Sequence, residues 1–216
     1  MKNVIAFSGG IQSSYMTLML VKELPKSSII LLFHDTKTEP SDNYRFRREI
    51  SEYIGIPITE FSDGRDIWQV FDDENFLGNN RIPICSMKLK VIPAQKFYKK
   101  INDDFVVYIG YNMYEHRRAQ KICARYPKIK YKFPLLERKI SMCEIISGIK
   151  STGITLPKMY KHFKHANCVP CARMGKSDWR KVKKFYPDRF KKALEYEKKF
   201  GHSFMKNTYL KDLDSM

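Results

Sequence analysis

Short apolar runs alternate with amphipathic stretches along the first half of the chain, and this alternation predicts strands and helices in turn. The β-rich run at residues 3–7 predicts a first strand, and residues 14–21 predict a helix behind it. Three further short apolar runs predict strands at residues 28–33, 56–61 and 106–110. The alternation indicates parallel strands joined by helices.

Helical spacing of apolar residues appears in two more segments. Residues 40–53 predict a helix with Ile50 and Tyr53 on an apolar side, and residues 141–151 predict another that ends near Gly153. Beyond residue 177, two helical stretches flank Pro187, since proline breaks a continuous helix. We therefore predict a doubly wound, mostly parallel α/β sheet of Rossmann-like form with a basic, helical C-terminal extension.

The chain has no Gly/Ser-rich linker or repeat that would separate independent domains. We expect an α/β domain over residues 1–160 and an extension over residues 161–216 that packs on the same domain. Hydrophobic residues make up 43% of the sequence, which is enough for a substantial core. The longest apolar runs are too short to span a bilayer, and no signal peptide is visible, so we predict a cytoplasmic protein without membrane contact.

Basic residues outnumber acidic ones, with 40 Lys and Arg against 23 Asp and Glu, for a formal net charge of +17. The excess is heavy at residues 180–184 and 189–192. Such a charge predicts a polyanionic partner, and we expect RNA or DNA. The other interpretation is a solvated helix surface in a lysine-rich protein from an AT-biased genome.

A glycine turn joins the first predicted strand to the first helix in the sequence Ser8-Gly9-Gly10-Ile11-Gln12-Ser13. Adjacent glycines let the backbone approach a phosphate, and the helix N-terminus offers free N–H groups to an anion. The sequence of this loop matches neither a Walker A loop nor the three-glycine dinucleotide fingerprint. It predicts that the loop binds phosphate. The other interpretation is a simple turn between a strand and a helix.

Polar residues follow two other predicted strands, where ligands collect in parallel sheets. His34, Asp35 and Thr36 follow the second strand, and Asp35 is suited to hold Mg²⁺ or to orient a nucleotide. The other interpretation is a polar turn with Ser41 as a helix N-cap.

Gly110 ends the later strand and is followed by Glu115, Arg117 and Arg118, and the two arginines are suited to phosphate recognition. A surface acidic and basic set on an exposed helix is the other interpretation.

The cysteines number five, and an odd count without an export signal argues against a disulfide framework. Cys168 and Cys171 form a C-x-x-C pair, and Cys85 lies at another predicted loop-to-helix boundary. Three thiolates from two loops can hold an iron–sulfur cluster with one open iron. Zinc with His162 and His165, or free redox thiols, are the other interpretations. Cys123 and Cys143 are interpreted as small, structural apolar residues.

Several motifs together resemble the PAPS (phosphoadenosine phosphosulfate) reductase-like family of the adenine nucleotide alpha hydrolase superfamily, also called N-type ATP pyrophosphatases or PP-loop proteins. The resemblance runs from Val4 to about Leu210. The motifs are the residue 8–13 loop, Asp35-Thr36-x-x-Glu39, Gly110 with Glu115 and Arg118, Cys85 followed by Leu89-Lys90, Asn167-Cys168-x-x-Cys171, Gly175-x-x-x-Trp179 and Glu197-x-x-x-Gly201.

The resemblance implies a HUP-type fold, an adenine nucleotide such as ATP, and activation of an acceptor by adenylation before sulfur transfer. With the residue-level reasoning it gives nucleotide binding by Ser8, Gly9, Gly10, Gln12, Ser13, His34, Asp35, Thr36 and Gly110. Catalytic roles fall to Asp35, Glu115 and Arg118, with Mg²⁺ at the phosphates. Cys85, Cys168 and Cys171 become ligands of a [4Fe–4S] cluster, which we prefer to zinc.

Two departures from the family pattern bear on function. Ile11-Gln12 stands where many members carry Lys-Asp, and no cysteine follows Cys171, although PAPS reductases use a cysteine near the C-terminus. Our leading hypothesis is an ATP-dependent sulfurtransferase that thiolates a nucleic acid and releases pyrophosphate. A sulfonucleotide reductase and a non-catalytic, nucleotide-sensing nucleic-acid-binding protein are the alternatives. The sulfur donor and a homodimeric state stay open.

Overall fold

The computed structural model describes residues 1–213 and contains a five-stranded, all-parallel sheet flanked by helices, as predicted. The strands are β1 (Lys2–Ala6), β2 (Ile29–Asp35), β3 (Ile58–Ser62), β4 (Phe105–Tyr108) and β5 (Tyr131–Lys132). The first four match the predicted strands within two residues at either end. Strand β5 has only two residues, which is too few for a periodic pattern to predict it.

The strand order is β3-β2-β1-β4-β5, so β1 lies between β2 and β4. Val4 pairs with Ile30 on one side and with Val107 on the other. The chain runs outward from β1 in both directions, which makes the carboxyl ends of β1 and β4 a topological switch point. Ligands of doubly wound sheets bind at such a point. The glycine loop follows β1, and Gly110 follows β4.

Helices fill the segments between and after the strands. They are α1 (Ile11–Glu23), α2 (Ser41–Ile54), α3 (Ile67–Asp73), α4 (Ile84–Ser86), α5 (Ile92–Tyr98), α6 (His116–Arg125), α7 (Pro134–Glu137), α8 (Met142–Lys150), α9 (Lys176–Phe185) and α10 (Pro187–Phe200). A π-helical turn over Met87–Val91 joins α4 to α5, and short 3-10 turns cover Lys26–Ser28, Lys158–Lys161 and Leu210–Asp212. Within residues 1–213, no helix has the length and apolar character needed to cross a bilayer.

The buried face of α2 differs from the predicted one. Ile50 is fully buried, as expected, but Tyr53 is 58% exposed, so its assignment to the apolar side was wrong. The buried stripe runs through Phe46, Ile50 and Ile54 at steps of four residues, and Tyr53 falls beside it. In α8, Ile145 and Ile149 are fully buried, as the spacing predicted.

The described chain forms two compact units, each assembled from separate segments. The first unit comprises residues 1–33, 41–61 and 98–158. The second comprises residues 34–40, 62–97 and everything from residue 159 onward. The boundary expected between residues 1–160 and 161–216 stays a prediction, and residues 214–216 of that extension lie outside the described part.

An aromatic core holds the second unit together. The rings of Trp179 and Phe204 lie 4.9 Å apart between centroids, and those of Trp68 and Tyr196 lie 4.6 Å apart. Trp179 and Phe204 are both fully buried. Since α9 and α10 supply core residues such as Trp179 and Ala193, the basic C-terminal helices are integral to this unit.

Glu197 is a buried carboxylate of α10 that orders the chain after the helix. Its Oε1 accepts a hydrogen bond from the Phe204 amide at 2.9 Å, and its Oε2 accepts one from the Leu210 amide at 2.7 Å. Burial raises the pKa of Glu197, while those two backbone hydrogen bonds oppose the rise. Gly201 ends the helix with a φ of 69°, a left-handed conformation that glycine adopts without strain. The Glu197-x-x-x-Gly201 motif is therefore explained by structure.

Replacing Glu197 with Leu should lower the free energy of unfolding by about 2–4 kcal/mol, because two buried amides lose their acceptor. Urea denaturation measures this directly. The exposed Glu195 of the same helix provides the matched control, Glu195→Leu, which should change stability little. Equal losses in the two variants would contradict the assigned role of Glu197.

Candidate nucleotide and thiol sites

The glycine loop of the first unit has a conformation that is suited to an anion. Gly9 has a φ of +74°, and a Cβ placed there would lie 3.1 Å from Cδ and Nη1 of Arg47. Gly10 is the N-cap of α1 and makes no side-chain cap, and the first turn of the helix carries no acidic residue. The first amides of α1 therefore present positive charge without a competing carboxylate.

Polar side chains line the same loop. The hydroxyls of Ser8 and Ser13 lie 3.0 Å apart, and Ser13 Oγ also donates to the Gly10 carbonyl at 3.0 Å. Gln12 Nε2 is a buried amide donor that has no hydrogen-bond partner among residues 1–213. A buried donor without an acceptor is costly, and a phosphate oxygen is the kind of acceptor that would satisfy it. The loop thus fits the predicted phosphates of ATP.

Arg47 is a buried arginine of α2 that the sequence reasoning missed. Its guanidinium carbon lies 3.4 Å from the centre of the Phe33 ring and 4.6 Å from that of Tyr44. Nη1 donates to the Ser8 carbonyl at 3.3 Å. A buried cation stacked on aromatic rings both shapes the loop and adds positive potential beside it. Its position on the otherwise apolar stripe next to Phe46 was the available signal.

Gly110 meets the glycine loop across the switch point. A Cβ at Gly110 would lie 3.1 Å from the backbone N and Cα of Ser13, so only glycine lets the two segments approach this closely. The structure therefore brings together Ser8, Gly9, Gly10, Gln12, Ser13 and Gly110 from the predicted nucleotide set.

Glu115 and Arg118 follow β4 and form an ion pair with each other at the start of α6. Glu115 Oε2 also accepts a hydrogen bond from the Asn112 amide at 2.9 Å, and Arg118 lies 4.5 Å from the centre of the Tyr111 ring. The Arg118 side chain is 58% exposed, so its charge remains accessible to an incoming anion. The catalytic roles assigned to this pair and to Asp35 stay predictions.

The three predicted thiol ligands share one neighbourhood in the second unit. Burial raises the pKa of Cys85 to about 12, and the nearby Cys171 and Cys168 add to the rise. Burial likewise raises the pKa of Cys168 to about 11. Within residues 1–213, no three His, Cys, Asp or Glu side chains already stand in metal-binding positions. The thiols are therefore grouped without forming a finished ligand set.

Hydrogen bonds connect the loop after β2 to the C-x-x-C loop. Thr36 Oγ1 lies 3.0 Å from Cys168 Sγ, and the Val169 amide donates to the Thr38 carbonyl at 3.2 Å. Arg189 Nη1 bridges the two segments, donating to the Thr38 carbonyl at 2.9 Å and to the Val169 carbonyl at 2.6 Å. Thr36, predicted as a nucleotide residue, is thus in contact with a thiol.

Lys90 is another charged residue to which the sequence assigned no role, although it belongs to the Leu89-Lys90 motif. It lies on the π-helical turn that follows Cys85, a rare backbone form that is frequent at functional sites. Burial lowers its pKa, but the charges of Cys168, Glu39, Cys171 and Cys85 outweigh that effect and hold the pKa above its ordinary value. A lysine that stays charged beside three thiols offsets the negative charge that thiolate ligands would bring.

His34 and Asp35 are the last two residues of β2. Burial and the charge of Lys90 lower the pKa of His34 to about 4, so its imidazole is neutral at physiological pH. Asp35 Oδ1 accepts a hydrogen bond from the Lys37 amide at 2.9 Å, which forms a tight turn after the strand. Both residues belong to the second unit, and their nucleotide contacts stay predictions.

The remaining cysteines and histidines differ from expectation in one respect. Cys123 and Cys143 are exposed, so their interpretation as small, structural apolar residues was wrong. Each lies on the solvent side of an amphipathic helix, where a small residue carries no packing requirement. His162 stacks on Phe185 with 3.7 Å between ring centroids.

The sequence profile of the phosphoadenosine phosphosulfate reductase domain matches residues 2–174. Two uncharacterised proteins of Methanocaldococcus jannaschii are related over most of the chain. One is 23% identical to this chain, in an alignment that covers 91% of this chain and 48% of the relative. The other is 25% identical and covers 88% and 40% respectively. The chain thus spans less than half the length of these curated relatives.

Two solved structures share the fold. A PAPS reductase from Candida auris, solved as a phosphate complex, has a TM-score of 0.54 at 16% identity and covers 74% of this chain and 78% of its own. The U34-tRNA thiolase NcsA from Methanococcus maripaludis, solved with its [4Fe–4S] cluster, has a TM-score of 0.54 at 17% identity and covers 94% and 73%.

Proposed function

Since the chain belongs to the phosphoadenosine phosphosulfate reductase family, within the PP-loop adenine nucleotide alpha hydrolase superfamily, we propose that it is an ATP-dependent sulfurtransferase that thiolates a nucleic acid. In this proposal the chain itself catalyses the reaction, and the acceptor of sulfur is RNA or DNA. Relatives of the fold include a reductase of a sulfonucleotide and a thiolase of tRNA, and the thiol grouping favours the second kind of chemistry.

The first half-reaction is adenylation of the acceptor. An oxygen of the nucleic acid attacks the α-phosphorus of ATP, the bond from that phosphorus to the bridging oxygen breaks, and pyrophosphate leaves. The amides at the start of α1, the Gln12 amide and the Arg47 charge would stabilise the departing phosphates. Mg²⁺ would supply Lewis-acid stabilisation of the same charge.

The second half-reaction is displacement of AMP by sulfur. Sulfide attacks the atom that carries the activated oxygen, and the bond to that oxygen breaks, so the oxygen leaves on AMP. A [4Fe–4S] cluster held by Cys85, Cys168 and Cys171 would supply sulfide from its one open iron. Lys90 would balance the charge of the thiolates, and the Thr36 hydroxyl would orient Cys168.

The observation that carries the proposal is that Cys85, Cys168 and Cys171, from two loops, influence one another's pKa and that of Lys90. Thiolates are the preferred ligands of iron–sulfur clusters, and three of them leave an iron open.

Pyrophosphate release tests the adenylation step. The protein, purified without oxygen, should release pyrophosphate from ATP faster when bulk tRNA or fragmented genomic DNA is present. A protein that binds ATP yet releases no pyrophosphate with either nucleic acid would instead be a nucleotide sensor. Ile11-Gln12, in place of the charged pair of many relatives, is the observation that favours this outcome.

A sulfonucleotide reductase is the second candidate, and the family profile and the reductase of the same fold favour it. Its assay is sulfite release from PAPS or its dephosphorylated analogue with a thiol reductant. Sulfite formation at a rate above that of the Cys171→Ser variant would support the reductase and count against the thiolase.

The basic C-terminal helices should contribute salt-sensitive nucleic-acid binding through residues 180–192. Because phosphate contacts release counterions, the logarithm of the affinity should fall linearly with the logarithm of the salt concentration. Fluorescence anisotropy with labelled RNA or DNA at several salt concentrations measures the slope. An affinity that does not change with salt would assign the +17 charge to composition alone.

A further inference from the structure

Helix α6 in the first unit is unusually exposed and unusually basic. It carries four Lys or Arg residues together with His116, and it contains no acidic residue. Ala119 is its only buried residue in the described chain. A short helix with so little burial gains little from packing, and most of its side chains face solvent.

Two of the basic residues of α6 lie where a positive charge disfavours the helix. Its first turn holds Arg117 and Arg118, near the positive end of the helix dipole, where cations are unfavourable. Arg117, Lys121 and Arg125 follow at steps of four residues, so like charges stand next to each other on one face. In the described part of the chain, no ion pair involves these three side chains, which are all exposed.

This row of cations has the geometry of a backbone-binding surface. Four residues of helix rise about 6 Å, so the three charges form a line about 12 Å long. On a helical wheel the row lies opposite Ala119, the side on which α6 packs, and therefore faces solvent. A line of regularly spaced cations is complementary to consecutive phosphates of one nucleic-acid strand.

An exposed aromatic ring stands at the start of the row. Tyr114 is 86% exposed, the highest exposure among the large hydrophobic side chains of residues 1–213. Its amide donates to Asn112 Oδ1 at 2.9 Å, which fixes the turn that presents it. Exposed aromatic rings beside cations bind unpaired bases by stacking, whereas bases inside a duplex cannot reach them.

We infer that Tyr114 and the α6 row, Arg117, Lys121 and Arg125, form a binding surface for a nucleic-acid strand with an unpaired base. The base stacks on Tyr114, and the neighbouring phosphates follow the row. The inference rests on the proposed function, and it narrows the acceptor to single-stranded or looped nucleic acid. The surface begins one residue before Glu115, one of the proposed catalytic residues.

The test compares two triple variants of the full chain by fluorescence anisotropy, using a labelled 20-nucleotide single-stranded RNA and the matching duplex. The α6 variant is Arg117→Gln, Lys121→Gln and Arg125→Gln. The matched control is Lys22→Gln, Lys99→Gln and Lys150→Gln, which removes the same charge from exposed sites of the same unit. The α6 variant should lower the slope of log affinity against log salt by about 2 for the single strand, at roughly 0.7 per lost phosphate contact.

Substitution of Tyr114 separates stacking from charge. Tyr114→Ala should weaken single-strand binding by roughly 5- to 100-fold, as expected for one lost stacking contact, and leave duplex binding unchanged. Tyr114→Phe should behave as the wild type. The α6 triple variant should fold with a nearly unchanged unfolding midpoint. It removes like-charge repulsion and the Arg117 charge near the helix N-terminus, and it also removes the favourable Arg125 charge in the last turn.

Three results would overturn the inference. The α6 and control triples could lose the same affinity, Tyr114→Ala could weaken single strand and duplex alike, or polyglutamate could compete as well as RNA does. If nucleic acid still accelerates pyrophosphate release in any of these cases, the proposed function stands and only this surface is wrong. If the wild type binds neither RNA, the surface is wrong for RNA and an RNA acceptor fails with it, whereas a DNA acceptor is judged by pyrophosphate release with DNA.

Discussion

Replacing Cys85, Cys168 or Cys171 with Ser is expected to remove iron from protein that has been reconstituted with iron and sulfide without oxygen. Serine cannot supply the soft thiolate that cluster iron prefers, and loss of one ligand from three leaves the cluster weakly held. Sulfur transfer should fall to background in each variant. The measurements are iron and labile sulfide per chain, together with the visible absorbance of the cluster.

The exposed cysteines provide the matched controls for this experiment. Cys123→Ser and Cys143→Ser should keep full iron content and activity, because both thiols are exposed and lie outside the core. Full activity in the Cys85→Ser, Cys168→Ser, Cys171→Ser triple variant would refute the cluster. Retention of one zinc per chain without iron would replace it with a zinc site.

Gly9→Val should abolish ATP binding while the protein stays folded. Valine at a φ of +74° is strained by about 1–2 kcal/mol, and its Cβ would press on the Arg47 side chain at 3.1 Å. The loop must then shift, and loss of even two charged hydrogen bonds to phosphate lowers affinity by roughly 100-fold or more. Isothermal titration with ATP and circular dichroism provide the two readouts.

Gly153 supplies the control for backbone strain. Its φ of +77° nearly equals that of Gly9, but nothing lies within 4 Å of a Cβ placed there. Gly153→Val should therefore cost similar strain and leave ATP binding intact. Equal ATP affinity in folded Gly9→Val and wild-type protein would remove the nucleotide assignment from this loop.

The fold was predictable because its signals are local. Apolar runs bounded by turns gave the positions of β1 to β4, and the alternation with helices gave the parallel sheet. The loop at residues 8–13 and Gly110 could be placed at one edge for the same reason, since both follow parallel strands. Their close approach, with Ser13 backbone 3.1 Å from a Cβ at Gly110, confirms that placement.

The missed parts of the sites depend on contacts that no local pattern records. Arg47 is buried because the rings of Phe33 and Tyr44 and the Ser8 carbonyl surround its guanidinium. Lys90 matters because its charge meets three thiols that come from distant segments. Periodicity finds the face of a helix, but it does not tell which element packs on that face.

The exposure of individual helix residues was the other feature that the sequence predicted wrongly. A cysteine on a helix is read as apolar by composition, yet Cys123 and Cys143 lie on solvent faces. Tyr53 was assigned to the wrong side of α2 because one residue of offset turns a side chain by about 100° at 3.6 residues per turn. Such errors leave the order of elements intact and alter only which side chains are available to partners.

The central claim is that the chain moves sulfur onto a nucleic acid at the expense of ATP, and labelled sulfide tests it most directly. Protein reconstituted without oxygen should transfer ³⁵S from sulfide to bulk tRNA or genomic DNA only when ATP is present, with one AMP and one pyrophosphate formed for each sulfur transferred. Release of AMP and pyrophosphate without label in either nucleic acid, or sulfite formation from PAPS by the same preparation, would contradict the account.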